Sequence, residues 1–335
     1  MLLLRFKNDI MFYLIQKYKS FQLVLIIGLL GILGFQFFTS TEWLTNAGLS
    51  LPYATSLQLL LVGHKLLSQS IVLCLLIVQL ILLSRFFMNS NLIESRTFLP
   101  AVWLLIFFVG GNFFLPLSAS VIINFSVVLL LLLHSDYSDS NIKNKVLLSG
   151  ILIGVASLYD ISALLLIMYV IFSAVVNRYN KFRDIIIVFV GLLIPYIYVV
   201  AYHYFIGDLA DLLDIYAQFR FSFPLFVTLR LSYWSIAAIS VFVVSIIYII
   251  IRLKLLFDNK LIVARKKLLS LNLLFISVVV MFFTTNVTFP QSFSYFLVPL
   301  SVLFPIYVEG KRFSIMREIL ITVITLAIIA IGWQL

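Results

Sequence analysis

The chain has 335 residues, of which 63% are hydrophobic and only 11% charged, with 32 phenylalanines and a mean hydropathy of +1.18. A single aqueous core cannot absorb so much apolar material arriving in long runs, so a water-soluble domain is excluded and an all-α polytopic membrane protein is expected. The net charge of +10 does not indicate a nucleic-acid partner, because the basic residues fall in short clusters between apolar runs and form no continuous face.

Residues 1–20 place Arg5, Lys7, Lys17 and Lys19 among leucines, isoleucines and Phe6. The mostly polar arc at helical spacing predicts an interfacial helix on the cytoplasmic leaflet. The remainder, 21–335, is expected to form a single multi-span domain. No cleavable leader is expected, because the first strongly apolar run lacks a small-residue cleavage site. That run, 21–38, is the first span and exits through a polar stretch holding Glu42. A partly apolar segment leads to His64 and Lys65, and a second span, 66–83, closes at Arg85. Cys74, the single cysteine, lies inside this run, which rules out a disulfide framework or a thiol metal site. Spans 3 and 4, 98–115 and 118–133, are joined by a tight turn near Pro116.

The apolar stretch 146–176 is interrupted by Tyr159-Asp160. As one helix it would measure about 46 Å, against a hydrocarbon core of about 30 Å. A single crossing would also separate Lys143 and Lys145 from Arg178, Lys181 and Arg183, which the positive-inside rule disfavours. A helical hairpin is therefore expected, with legs of roughly 20 and 24 Å and its Asp160 tip recessed below the outer surface. Span 7, 185–202, contains Pro195, which predicts a bend. An outer interfacial segment, 203–230, carries Asp208, Asp211 and Asp214. Spans 8 to 11 are expected at 231–251, 268–283, 293–308 and 319–331. This gives eleven transmembrane helices with the N-terminus cytoplasmic and the C-terminus outside. Of the 23 Lys and Arg residues, 20 then face the cytoplasm, leaving Lys65, Arg220 and Arg230 outside.

Polar groups on the outer side are the candidate site. Glu42 offers a general base or is a solvated loop acid. Asp160 is an ionisable group at membrane depth, where such groups are costly and face a partner or a wet cavity. It also suits a helix N-cap, accepting from the backbone N–H of Ala163. Asp208, Asp211 and Asp214 offer oxygen ligands at helical spacing or form a solvated helix face. His64, Lys65, Arg220 and Arg230 suit an anionic headgroup or lipid-linked phosphate, or else snorkel to the interface. No His pair, glycine-rich phosphate loop or Ser-His-Asp spacing is present, so neither a metal nor a cofactor is implied.

The run S-G-I-L-I-G-V-A-S-L at 149–158, the polar break, the basic cluster at 178–183 and Gly191-Leu192-Leu193-Ile194-Pro195 together resemble the middle of polytopic C-type glycosyltransferases. Residues 291–299, Q-S-F-S-Y-F-L-V-P, resemble their late R-Y-x-L-x-x-x-P segment, with Tyr295 and Pro299 retained and the usual Arg replaced. The chain as a whole is similar to an uncharacterised family of bacterial polytopic inner-membrane proteins, with Glu94 to Pro100 among the matching stretches. The resemblance to the glycosyltransferases implies a polyprenyl-phosphate sugar donor, catalysis at the outer face of the inner membrane, a carboxylate in the first outer loop, here Glu42, and a role for Tyr295 in binding. Three classes stay open: such an enzyme, a transporter or lipid-handling protein, and a non-catalytic membrane subunit.

Overall fold

A computed structural model describes residues 19–39, 65–90, 98–110, 119–135, 142–176, 182–207, 262–284 and 294–308, together with a few isolated positions. These are almost entirely helical, and no strand occurs among them. In chain order the helices are α1 (Lys19–Thr39), α2 (Lys65–Ser90), α3 (Leu99–Gly110), α4 (Ala119–Ser135), α5 (Ile142–Tyr159), α6 (Leu166–Val176), α7 (Phe182–Ile206), α8 (Ile262–Thr284) and α9 (Leu297–Val308). Short 3-10 turns, Ile161–Leu165 and Ser294–Phe296, lead into α6 and α9. Ser70–Ser90, Ile142–Tyr159 and Phe182–Ile206 are long and apolar enough to cross a membrane.

Several elements run beyond their expected limits. Helix α2 continues past Arg85 to Ser90, and α8 begins at Ile262, so Arg265, Lys266 and Lys267 are helical and not part of a loop. Lysine and arginine lose little rotamer freedom in a helix, and the membrane boundary does not have to be a helix boundary. Helix α7 spans 25 residues, so residues 203–206 of the expected interfacial segment belong to it. It ends where Gly207, at φ +91°, donates its N–H to the His203 carbonyl at 3.0 Å. Only glycine takes that left-handed conformation without steric cost. Helix α7 is continuous through Pro195.

The closest helix pairing is that of α5 with α7, and α7 lies at the edge of the described bundle. Gly150, Gly154 and Gly191 let the two backbones touch, and each lies where a side chain has no room. A Cβ on Gly150 would run into the Val188 carbonyl, one on Gly191 into the Leu147 carbonyl, and one on Gly154 would stand 2.7 Å from the Leu192 carbonyl and 3.0 Å from Pro195 Cγ. The contacts advance together along both chains, from Gly150 with Val188 to Gly154 with Leu192, so the helices run parallel. Two parallel helices require the chain between them to return, and α6 is that return. The chain doubles back through the 161–165 turn and α6. The stretch before the turn is longer than the roughly 20 Å expected: α5 has 18 residues, about 27 Å, because it starts before Val146. The legs meet mainly near the turn, where α5 packs on the 161–165 segment. Farther along, α5 leans on α4 and α7, and α6 on α8.

The same register puts Asp160 level with about residue 199 of α7, so the tip stops roughly 10 Å short of the end of that helix. Other helix ends pair in a consistent sense. The Phe98 N–H donates to Gln22 Oε1 at 2.7 Å, joining the starts of α1 and α3. Lys267 Nζ donates to the Ser90 carbonyl at 3.2 Å, satisfying an end carbonyl of α2 from the start of α8. Helix α9 is anchored by Phe304, which packs edge-on to Phe107 at 5.4 Å and tilts against Trp103 at 5.1 Å on α3.

Candidate functional site

Asp160 sits between α5 and the 161–165 turn in an extended conformation, φ −146° and ψ 117°. It is an N-cap, as its sequence context predicted, but the donor differs from the expected one. Its Oδ1 accepts from the Ser162 N–H at 3.0 Å, while the Ala163 N–H bonds the Asp160 backbone carbonyl. The cause is the 3-10 geometry: an i to i+3 turn directs the third N–H at the main chain and leaves the second for the side chain.

The other carboxylate oxygen is occupied from a distant segment. Tyr295 Oη donates to Asp160 Oδ2 at 2.8 Å. Asp160 is 2% exposed and Tyr295 0%. Tyr295 is the middle residue of the 294–296 turn, whose flanks are each fixed. Ser294 presents its carbonyl to Asn124 Nδ2 at 3.1 Å, and Phe296 packs against Phe275 and Phe282 of α8 at 5.9 and 5.1 Å. Two residues singled out on unrelated grounds, one for its place at a hairpin tip and one for a late segment pattern, are therefore in direct contact. Of the two environments open to an ionisable group at membrane depth, a partner or a wet cavity, Asp160 has the partner: it is enclosed by protein, and both its carboxylate oxygens accept hydrogen bonds.

The bundle interior also holds polar groups that the sequence did not reveal. Ser157, buried one turn before the tip, donates to the Gly154 carbonyl at 2.8 Å, so the Tyr196 hydroxyl, also 2.8 Å away, donates to Ser157. Gln79 Nε2 donates to the Val121 carbonyl at 3.1 Å. Among the described residues, Gln79 Oε1, Asn124 Oδ1, Ser162 Oγ and Asn272 Oδ1 are buried without a hydrogen-bond partner. Buried acceptors in native proteins are normally paired with protein or water, so each of these atoms is a polar position of note within the apolar bundle. Asn, Gln and Ser inside apolar runs are a visible sequence signal, but their spacing says nothing about which meet.

A second polar cluster lies at the opposite end of α5. Ser149 Oγ donates to the Lys145 carbonyl at 2.7 Å, so the 3.1 Å contact with His134 uses the Nε2 proton of the imidazole. The His134 ring meets the edge of Tyr169 at 5.6 Å, and Tyr169 Oη lies 3.2 Å from Ser270 Oγ. This cluster ties α4, α5, α6 and α8 together. Every group in it faces another side chain or a main-chain carbonyl, which makes it a structural tie.

Of the other site residues expected from sequence, Glu42, His64, Arg220 and Arg230 lie outside the described residues, as do Asp208, Asp211 and Asp214. Lys65 is the first residue of α2, at the end opposite Ser90. Among the described residues no three His, Cys, Asp or Glu side chains group in a way that suits a metal ion. No protein-family model, curated protein or solved structure matches the chain.

Proposed function

We propose that this chain is a multi-pass protein of the bacterial inner membrane that transfers a sugar from a polyprenyl-phosphate donor at the outer face. The observation that carries the proposal is the 2.8 Å bond between Asp160 and Tyr295. It joins the recessed hairpin tip to the late segment that resembles the C-type glycosyltransferases. Eleven spans, with the N-terminus inside and the C-terminus outside, follow from the charge distribution. Large apolar side chains on the outside of α7, among them Ile197, Tyr198 and Phe205, suit contact with lipid and would be costly in water.

In this scheme Glu42 takes the proton of the acceptor hydroxyl, and Lys65, with Arg220 as second choice, meets the negative charge that grows on the departing phosphate. His64 and Arg230 border the same outer face and contribute to binding the anionic donor. Asp160, with both oxygens engaged, is an orienting group and not the base. Membrane lipids and a lipid-linked sugar are the partners, no nucleic acid is involved, and no further cofactor is needed. The test is a reconstituted transfer assay with purified protein and polyprenyl-phosphate hexoses, comparing wild type with Glu42→Gln.

One observation favours a second reading. Asp160 is satisfied internally by a cap and a tyrosine, as a fold-stabilising residue would be, which suits a non-catalytic membrane subunit. Failure of the wild-type protein to bind or consume any polyprenyl-phosphate sugar selects that reading.

A further inference from the structure

Asn124 has no exposed surface, and its Nδ2 donates to the Ser294 carbonyl across 170 positions of sequence. Ser294 opens the three-residue turn whose middle member is Tyr295. The Phe296 ring is held on the other flank by Phe275 and Phe282. The turn is thus gripped from α4 and from α8, and the residue between the two grips delivers its hydroxyl to Asp160. Keeping an amide at position 124 leaves Oδ1 buried without a partner among the described residues. That arrangement costs free energy which an apolar side chain of similar size would avoid. The bond to Ser294 is what the apolar side chain would lose.

We propose that Asn124 is the positioning residue of the Asp160–Tyr295 site: by holding the Ser294 carbonyl it fixes the turn that brings the Tyr295 hydroxyl onto Asp160. The role rests on that pair being part of the transfer site. Asn124 acts through Ser294 and Tyr295 and not on the substrate.

Gln79 supplies an internal control. It donates to a main-chain carbonyl of the same helix, Val121, at the same 3.1 Å, and it too leaves a buried oxygen without a partner. Its bond ties α2 to α4 and does not involve the 294–296 turn. A merely structural loss is therefore mimicked by Gln79→Met, and a positioning loss is not.

The experiment uses the full-length protein in membranes, in a Cys74→Ala background carrying Ser162→Cys, a position with 0% exposure beside Asp160. Reaction with a small hydrophilic methanethiosulfonate should be slow in this parent and in Gln79→Met. Asn124→Leu, of similar size and lacking the donor, should accelerate labelling about tenfold, Tyr295→Phe similarly, and the double variant no further than either alone. Where Asn124→Leu does not accumulate, Asn124→Ala carries the same test. Labelling of Asn124→Leu as slow as the parent overturns the proposal, and so does equal acceleration in Gln79→Met. The thiol readout needs no substrate, so it stands apart from the transfer assay. Absence of turnover in wild type with this labelling pattern intact would remove the chemistry and leave the positioning role. Where transfer is measured, Asn124→Leu should lower kcat with the donor KM unchanged.

Discussion

Tyr295 and Asp160 are 135 positions apart in the chain, yet the tyrosine hydroxyl lies 2.8 Å from the aspartate Oδ2, with both side chains buried. The bond fastens the 294–296 turn to the hairpin tip and fixes which face of α9 looks inward.

Removing that hydroxyl should therefore weaken the fold as well as the site. Tyr295→Phe leaves a buried carboxylate oxygen without this donor, which costs about 1–3 kcal/mol. Asp160→Ala loses the cap to Ser162 as well and should cost more than Tyr295→Phe, whereas Asp160→Asn, whose Oδ1 still accepts from the Ser162 N–H while its Nδ2 can donate to the Tyr295 hydroxyl oxygen, should cost less than Asp160→Ala. Thermal unfolding in detergent ranks the three, and an unchanged midpoint for Tyr295→Phe would show that the bond contributes nothing.

The glycine seam between α5 and α7 makes a sharper stability prediction. Gly150→Ala and Gly191→Ala drive a methyl group into main-chain carbonyls, which cannot move aside as a flexible side chain can. Overpacking of this kind costs about 1–3 kcal/mol. Gly28→Ala, in α1 where nothing lies within 4 Å of the added carbon, should be neutral or slightly stabilising. Equal midpoints for Gly28→Ala and Gly150→Ala would contradict the parallel close packing of the two helices.

Parallel α5 and α7 also fix a topological relation that reporter fusions read directly. Fusions after Lys145 and after Arg183 should report the same compartment, the cytoplasm, and so should one after Lys267. A fusion after Leu335 should report the far side. Opposite signals at Lys145 and Arg183 would mean that the 146–176 stretch crosses once.

For the chemistry, Glu42→Gln keeps the shape of the side chain and removes its basicity. General-base catalysis contributes typically about 10²- to 10⁴-fold, so kcat should fall by that factor while expression and donor binding hold. Lys65→Ala should act on donor KM instead. Full activity in Glu42→Gln would remove the residue from the mechanism.

The helical character and the helices fit to cross a membrane were legible because long apolar runs against bilayer thickness are a strong constraint. The break at Tyr159-Asp160 is visible in the sequence as a polar pair inside an apolar stretch, and the helix α5 ends there. Helix ends were less legible: the α7 end at Ile206 depends on backbone geometry at Gly207, and the α8 start at Ile262 lies in a basic stretch outside the apolar run, so hydropathy sets neither. The cap donor was misassigned because an α-helical first turn was assumed where the chain makes a 3-10 turn. Asp160 and Tyr295 were each visible as unusual residues, but their meeting is a tertiary fact that no local pattern encodes. Asn124 escaped notice altogether, since one amide among aliphatic residues carries no periodicity.

The distance in sequence between Asp160 and Tyr295 also sets a clock. At a synthesis rate of about 5–20 residues per second, the tyrosine leaves the ribosome roughly 7 to 27 s after the aspartate it will meet. Throughout that interval the carboxylate has the Ser162 cap within reach but waits for the Tyr295 hydroxyl. A nascent chain stalled before residue 294 is accordingly the species most exposed to membrane quality-control proteases, and it should be cleared faster than one stalled after α9 is complete.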